Sequence, residues 1–286
     1  MKQAPAKHIV VVKPGALGDT LLLAPALRAV REARGGAKIS VIGTQPNVEM
    51  LRALGVADEV VSFDRYDLFG TAQKRDPVDG AEVMSFLGEP PANCEDPFIA
   101  KGARCAIWKA SRPSGESLHA VEYLHGCISE IVRDIAPLSK KPFAVEPLKK
   151  APVKRPYAVI APGAGGPGKR APFEKFVSIA REIARKGIAP LFVAGEVEVE
   201  NGFIEEFPAE FEKLISPGLP HLAQILAGAE QVYAHGSGVG HLAALVGADT
   251  RVFFGPTNPE VWKPWGERVT VMMYNNDSAR RNCGHI

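Results

Sequence analysis

With 286 residues, 46% hydrophobic and 23% charged, the chain has the composition of a soluble globular protein and the length for two ordinary domains, each able to bury its own core. A formal net charge of +2, with no Lys/Arg stripe interleaved with aromatics, argues against nucleic acid as a partner. Cys94, Cys105, Cys127 and Cys283 are widely spaced with no Cys-x-x-Cys pair, so neither a disulfide framework nor a zinc site is expected.

The N-terminal segment leads into the apolar run Ile9 to Val12, too short for a signal h-region or a membrane span, which points to a cytoplasmic protein. That β-branched run predicts a strand. Pro14-Gly15 makes a turn, and Leu17 to Arg34 follows with Leu17, Leu21, Leu27 and Val30 at helical spacing, with Pro25 expected to kink or loosen the helix. Lys38 to Ile42 reads as the next strand, completing a βαβ unit and implying a parallel sheet. Tyr66 to Asp96 is of mixed polarity with several Pro and Gly and is expected to be loop with at most one short helix. Ala103 to Trp108 reads as a strand, and Leu118 to Ile135 as an amphipathic helix.

Between Pro137 and Pro156 the composition shifts to Lys and Pro, including Lys140-Lys141 and Lys149-Lys150, and residues 139–156 are read as an interdomain linker between domains at 1–138 and 157–286. A polybasic stretch suits a solvated linker, and it also suits transient contact with anionic headgroups at the inner membrane surface. The second half restarts the pattern, with Tyr157 to Ala161 as strand, Pro172 to Lys186 as helix and Ile188 to Ala194 as strand. Pro162-Gly163-Ala164 stands after that first strand as Pro14-Gly15-Ala16 does in the first half. Two Rossmann-like domains are the architecture this repetition implies, with sites at the carboxyl ends of the sheets.

Three stretches carry candidate chemistry. Gly163-Ala164-Gly165-Gly166-Pro167-Gly168-Lys169-Arg170 nearly satisfies two phosphate-binding motifs. As Gly-x-Gly-x-x-Gly it follows a strand, and Glu196 ends the next strand where a ribose-binding acid would sit, but the prolines delay the helix that fingerprint needs; separately, Glu196, Glu198 and Glu200 offer one candidate ribose or sugar contact among them. As Gly-x4-Gly-Lys-Ser/Thr it fails at Arg170, where the magnesium-ligating hydroxyl belongs. Both readings arrange amides and Lys169 around phosphate. The second stretch, His235 to Trp265, is a glycine-rich turn, a short small-residue helix, a buried strand and another turn. Gly236, Gly238 and Gly240 allow close backbone approach, and the helix that follows aims its first amides at an anion there, while His241 on a small-residue helix reads as a packed or capping residue or as a site residue. In the third, Gly15-Ala16-Leu17-Gly18-Asp19-Thr20, a carboxylate stands at a helix start, where it serves as a cap or dipole partner or as a base.

Ser237-Gly238, His241-Leu242-Ala243-Ala244 and Gly255-Pro256-Thr257-Asn258-Pro259 with Trp262 resemble the donor-site signature of the bacterial lipopolysaccharide heptosyltransferases, the ADP-heptose-dependent inverting glycosyltransferases of family 9. Pro162-Gly163-Ala164 with Lys169-Arg170-Ala171-Pro172 is similar to that family's Pro-Gly-Ala…Lys-Arg-Trp-Pro loop, with Ala171 in place of the aromatic. Leu17-Gly18-Asp19 is similar to its Leu-Gly-Asp element. The resemblance implies an α/β fold of GT-B type, two Rossmann-like domains with parallel sheets facing a central cleft. It also implies transfer of a heptose-like sugar from a nucleotide-diphosphate donor, an ADP-sugar, to a carbohydrate or glycolipid acceptor in lipopolysaccharide or cell-surface glycan assembly. No cofactor and no required metal are implied. Asp19 becomes the general base, with Gly15 and Gly18 in the acceptor-side loop. Gly163, Ala164, Lys169, Ser237, Gly238, Val239 and His241 become donor and phosphate contacts, and Glu196, Glu198 and Thr257 further donor contacts. One departure stands out: His235-Gly236 replaces the family's Asn-Asp, which removes a donor-binding carboxylate. A non-catalytic nucleotide-sugar-binding or regulatory protein of the same fold is the alternative that this departure raises.

Overall fold

A computed structural model describes residues 7–70, 76–90, 92, 95–154, 156–166 and 169–274. The chain divides into two compact units, Met1–Ser139 and Lys140–Ile286, each built on one all-parallel sheet.

In the first unit β1 (His8–Val12) pairs with β2 (Lys38–Gly43) and with β4 (Glu82–Ser85). β3 (Glu59–Ser62) and β5 (Cys105–Trp108) form the edges, giving the order β3-β2-β1-β4-β5. Ile9 through Val12 are at most 1% exposed, as expected of a central strand covered on both faces. The helical run expected from Leu17 to Arg34 is two helices, α1 (Leu17–Leu21) and α2 (Ala24–Ala33), with Pro25 in the first turn of the second. A proline there starts a helix without sacrificing a hydrogen bond, so the chain breaks ahead of it rather than kinking through it. The segment Tyr66 to Asp96, expected to be loop, contains the central strand β4, flanked by Gly80 at positive φ and by Gly88. Two further elements, α3 (Asn47–Ala53) and β3, complete the unit together with α4 (Pro97–Ala100). The predicted helix from Leu118 to Ile135 is shorter, α5 (Ala120–Ser129), capped by His119 Nδ1 accepting from the Val121 N–H.

A buried ion pair ties the segment before β4 to the end of α4: Lys101 Nζ lies 3.4 Å from Asp76 Oδ2, with both side chains 3% exposed. The Tyr66 hydroxyl donates to Asp76 Oδ1 at 3.1 Å, and the Val78 N–H donates to the same oxygen. Cys105 is half-buried and Cys127 buried, and both are free thiols. Cys94 and Cys283 lie outside the described residues.

The second unit has β6 (Tyr157–Ala161), β7 (Ala189–Ala194), β8 (Glu212–Ile215), β9 (Gln231–His235), β10 (Thr250–Phe254) and β11 (Val269–Met273) in the order β11-β10-β9-β6-β7-β8. α6 (Phe173–Arg185) buries Phe176, Ala180 and Ile183, spaced four and three residues apart on one stripe, against a core with Phe192, Phe203, Phe207 and Phe253. α7 (Glu196–Glu200), α8 (Leu219–Ala227), α9 (Gly238–Leu245) and α10 (Pro259–Trp262) occupy the other connections. Residues 140–154 carry no helix or strand, yet they are tied to this unit: the Phe143 N–H donates to Leu245 O at 2.7 Å and Lys140 Nζ sits 4.8 Å from the Trp265 ring centre.

Each sheet reverses its winding once. In the first the reversal falls between β1 and β4, in the second between β6 and β9. Neighbouring loops diverge at such a point and open a crevice at the carboxyl ends of the strands, the usual ligand position in open α/β sheets.

Candidate functional site

The loop after β1 stands at the first reversal. Gly15 adopts φ 153°, its N–H donates to Thr44 Oγ1 at 3.0 Å, and its carbonyl accepts from Asn47 Nδ2 at 3.0 Å. These bonds fix the turn, and α1 begins from Ala16, which makes no side-chain capping bond. Gly18 and Asp19 fall in the first turn of α1. Asp19 Oδ2 lies 3.2 Å from Arg112 Nη2, a pair whose side chains are 21% and 64% exposed. The carboxylate is therefore partly exposed beside the loop after β1, with a guanidinium as partner.

Sequence reasoning passed over Lys13, the residue that ends the β1 run. It is 3% exposed, its Nζ donates to Ser111 O at 2.9 Å, and it lies 5.5 Å from the Phe86 ring centre. Burial pushes its ammonium below the usual lysine range, the Asp19 carboxylate opposes that shift and Arg112 adds to it. Lys13 thus holds the residue next to Arg112 and shares the field of Asp19. The available signal was a charged residue directly continuing a run of buried β-branched positions.

In the second unit the loops after β6 and β9, the two adjacent strands at the reversal, carry most of the predicted donor residues. After β6, Gly163 is half-buried, Ala164 is buried and Lys169 is exposed, with its N–H donating to Gly166 O at 3.1 Å. Pro167 and Gly168 lie outside the described residues. A Cβ on Gly163 would sit 2.3 Å from Glu198 Oε1, so this glycine makes room for a carboxylate. Glu198, in α7 after β7, is 12% exposed, accepts from the Gly195 N–H at 3.0 Å and lies 4.0 Å from Arg170 Nη2. The Arg170 guanidinium also stacks 4.5 Å from the Phe203 ring centre. Of the three glutamates weighed from sequence, Glu198 braces the loop from within, while Glu196 and Glu200 are exposed.

After β9, Gly236 is exposed, Ser237 precedes α9, and Gly238 and Val239 open that helix half-buried. The Ser237 N–H donates to His235 O at 2.7 Å, and the first amides of α9 lie at the carboxyl end of the sheet, where an anion is favoured. Two of the glycines have packing reasons as well: a Cβ on Gly236 would be 2.6 Å from Phe254 Cζ, and one on Gly240 2.6 Å from His235 O. The Phe254 ring therefore stands where a side chain at position 236 would project. His241 is 5% exposed within α9, and Thr257 is half-buried in the loop after β10, beside Asn258, whose Oδ1 caps α10 through the Glu260 N–H at 2.9 Å.

His235, in sequence only a departure from a motif, joins the two ends of the β6 loop. Its Nε2 accepts from the Ala171 N–H at 2.7 Å, and its Nδ1 is 3.2 Å from Gly163 O. The ring is 1% exposed, and burial lowers its pKa to about 4, the Gly163 carbonyl opposing and Arg170 reinforcing the shift.

The family model for glycosyltransferase family 9 (heptosyltransferase) matches residues 134–284. Among solved structures, a glycosyl transferase family 9 protein from Veillonella parvula aligns at 16% identity with TM-score 0.72, over 98% of this chain and 91% of that one. The ADP-heptose lipopolysaccharide heptosyltransferase II of E. coli aligns at 16% identity with TM-score 0.70, over 93% and 90%. E. coli heptosyltransferase WaaC, solved with ADP, aligns at 20% identity with TM-score 0.68, over 93% of each chain. The α/β fold with two parallel sheets is common to all of them. No curated protein matches the chain in sequence.

Proposed function

The chain belongs to glycosyltransferase family 9 (heptosyltransferase), and from that membership we propose that it transfers a heptose-like sugar from an ADP-sugar to a carbohydrate hydroxyl, with inversion at the anomeric carbon. The observation that carries the reading is the placement of Lys169 and the α9 N-terminus on the loops of two adjacent strands, at the reversal of the second sheet. Amides, a helix start and a lysine carried on adjacent loops suit a diphosphate.

In this proposal the second unit holds the donor. Lys169 and the amides of Gly238 and Val239 take up the negative charge that grows on the diphosphate as it leaves, so no divalent ion is required for that task. Asp19 takes the proton from the acceptor hydroxyl while that oxygen forms its bond to the anomeric carbon and the bond from that carbon to the diphosphate oxygen breaks. One displacement inverts the centre. Arg112 must yield its place on Asp19 to the acceptor, which a 64% exposed guanidinium can do at small cost. With Gly236 in place of a carboxylate, Ser237, Thr257 and Glu196 are the proposed contacts to the sugar and ribose.

WaaC has been solved with ADP and with an ADP-heptose analogue, which motivates an ADP-sugar here. The proposed acceptor is a glycolipid of lipopolysaccharide or a related cell-surface glycan, reached from the cytoplasmic side of the inner membrane. Among the described residues no helix is long and apolar enough to cross a membrane. A thermal-shift panel of ADP-, GDP- and UDP-sugars tests the donor class, since a ligand at a hundred times its dissociation constant stabilises by about 2.7 kcal/mol. Stabilisation by the ADP-sugars alone is expected. A shift confined to GDP- or UDP-sugars contradicts the donor assignment.

A further inference from the structure

The His235 ring reads its own protonation state from its neighbours. A backbone N–H only donates, so the 2.7 Å contact from Ala171 requires a lone pair on Nε2, and the proton of the neutral ring must then sit on Nδ1, from which it donates to the Gly163 carbonyl at 3.2 Å. The two partners are eight positions apart, at the start and end of the loop that follows β6. One side chain thus closes that loop at its base.

The ring has little freedom to release either partner. It is 1% exposed and is packed by Phe176 of α6 at 5.0 Å, by Phe253 of β10 at 6.3 Å and by Tyr274 at 6.3 Å between ring centres. The ionisable groups around it are the Arg170 guanidinium from the loop itself, Lys175 of α6, which lies over the far ring of Phe253 at 5.6 Å, the Tyr274 hydroxyl, and Glu198, lodged against Gly163. Burial and the Arg170 guanidinium favour an uncharged imidazole. Protonation would turn Nε2 into a donor facing the Ala171 N–H and open the clasp.

We propose that His235 is a positioning residue for donor binding: as a neutral Nδ1–H imidazole it clasps Gly163 to Ala171 and so sets where Lys169 meets the diphosphate. This rests on the reading of the loop as the donor site. The glycine at 236 belongs to the same device, because the turn leaving His235 passes beneath the Phe254 ring with no space for a Cβ.

Three preparations test it: wild type, His235→Leu, which removes both hydrogen bonds, and His235→Gln, whose amide oxygen can still accept from Ala171. Each is measured by amide hydrogen exchange at Ala171 and by titration with ADP. In His235→Leu the Ala171 amide is expected to lose protection by more than about tenfold, while the amides of β6 and β9 keep theirs, and ADP affinity to fall by about tenfold. His235→Gln is expected to retain most of both. Imidazole nitrogen shifts in the wild type should report the Nδ1–H tautomer. Unchanged Ala171 protection in His235→Leu, an Nε2–H tautomer, or lost protection with unchanged ADP affinity would each overturn the proposal. A wild type that binds no ADP refutes the donor-loop reading instead, and exchange at Ala171 then still decides whether the clasp exists.

Discussion

Adding one methyl group at Gly236 places a Cβ 2.6 Å from Cζ of Phe254 and 3.0 Å from its Cε1. Non-bonded carbons settle at about 3.5–4.0 Å, so the ring must retreat by roughly 1 Å. It has nowhere open to go: Phe254 is 2% exposed at the end of β10, and close packing resists small displacements. Overpacking of this kind costs about 1–3 kcal/mol. In a unit of about this size, that lowers Tm by about 2–12 °C. Gly236→Ala should therefore be measurably destabilised in thermal and denaturant unfolding. The Phe254→Leu background supplies the control, because a smaller side chain frees the volume that the methyl group needs, and the two substitutions should couple with opposite sign to their separate effects. A Gly236→Ala variant within about 0.5 kcal/mol of wild type, or one that costs as much in the Phe254→Leu background as with Phe254 present, would refute the packing argument and reopen the question of why this position lacks a carboxylate.

Lys169→Ala should weaken ADP binding by about 1.5–3 kcal/mol, the range for a hydrogen bond to a charged group, without a change in Tm, and calorimetric titration in EDTA should leave wild-type affinity within about tenfold. Lys101→Met strands the buried Asp76 carboxylate and should cost about 3–5 kcal/mol of stability by denaturant unfolding, whereas replacing Lys101 and Asp76 together by apolar residues should recover much of that loss. His235 carries a folded-state pKa of about 4 against an ordinary 6.5, so the unfolded chain binds the extra proton first. Its contribution is complete above about pH 6.5 and shrinks as pH falls toward 4, by at most about 1.4 kcal/mol per pH unit, and His235→Gln should flatten that slope.

The repeated Pro-Gly-Ala turn after a buried strand was enough to place the two loops at the carboxyl ends of two sheets, because turn chemistry and β-branched runs are local signals. β4 escaped for the opposite reason. Its four residues Glu82–Ser85 are short, flanked by Gly80 and Gly88, and their strand state comes from pairing with β1 and β5, which no local pattern encodes. The division into α1 and α2 was half legible: Pro25 marked trouble, but only the packing decides between a kink and a break. At the site, Lys169 and Asp19 could be named from motifs. Lys13, Glu198 and His235 act through partners 98, 3 to 35 and 64 to 72 positions away, and such pairings exist only in the folded chain.

The general-base assignment is tested most directly by transfer from ADP-heptose to a hydroxyl acceptor, measured with wild type and Asp19→Asn from matched preparations. Asparagine preserves size and ranks with aspartate at a helix start, but its amide takes up no proton at neutral pH. The exposed Arg112 pair it loses contributes no more than about 1 kcal/mol, so stability should hold. Turnover is expected to fall by about two to four orders of magnitude with ADP affinity unchanged. A stable Asp19→Asn variant that transfers sugar at the wild-type rate would contradict the account.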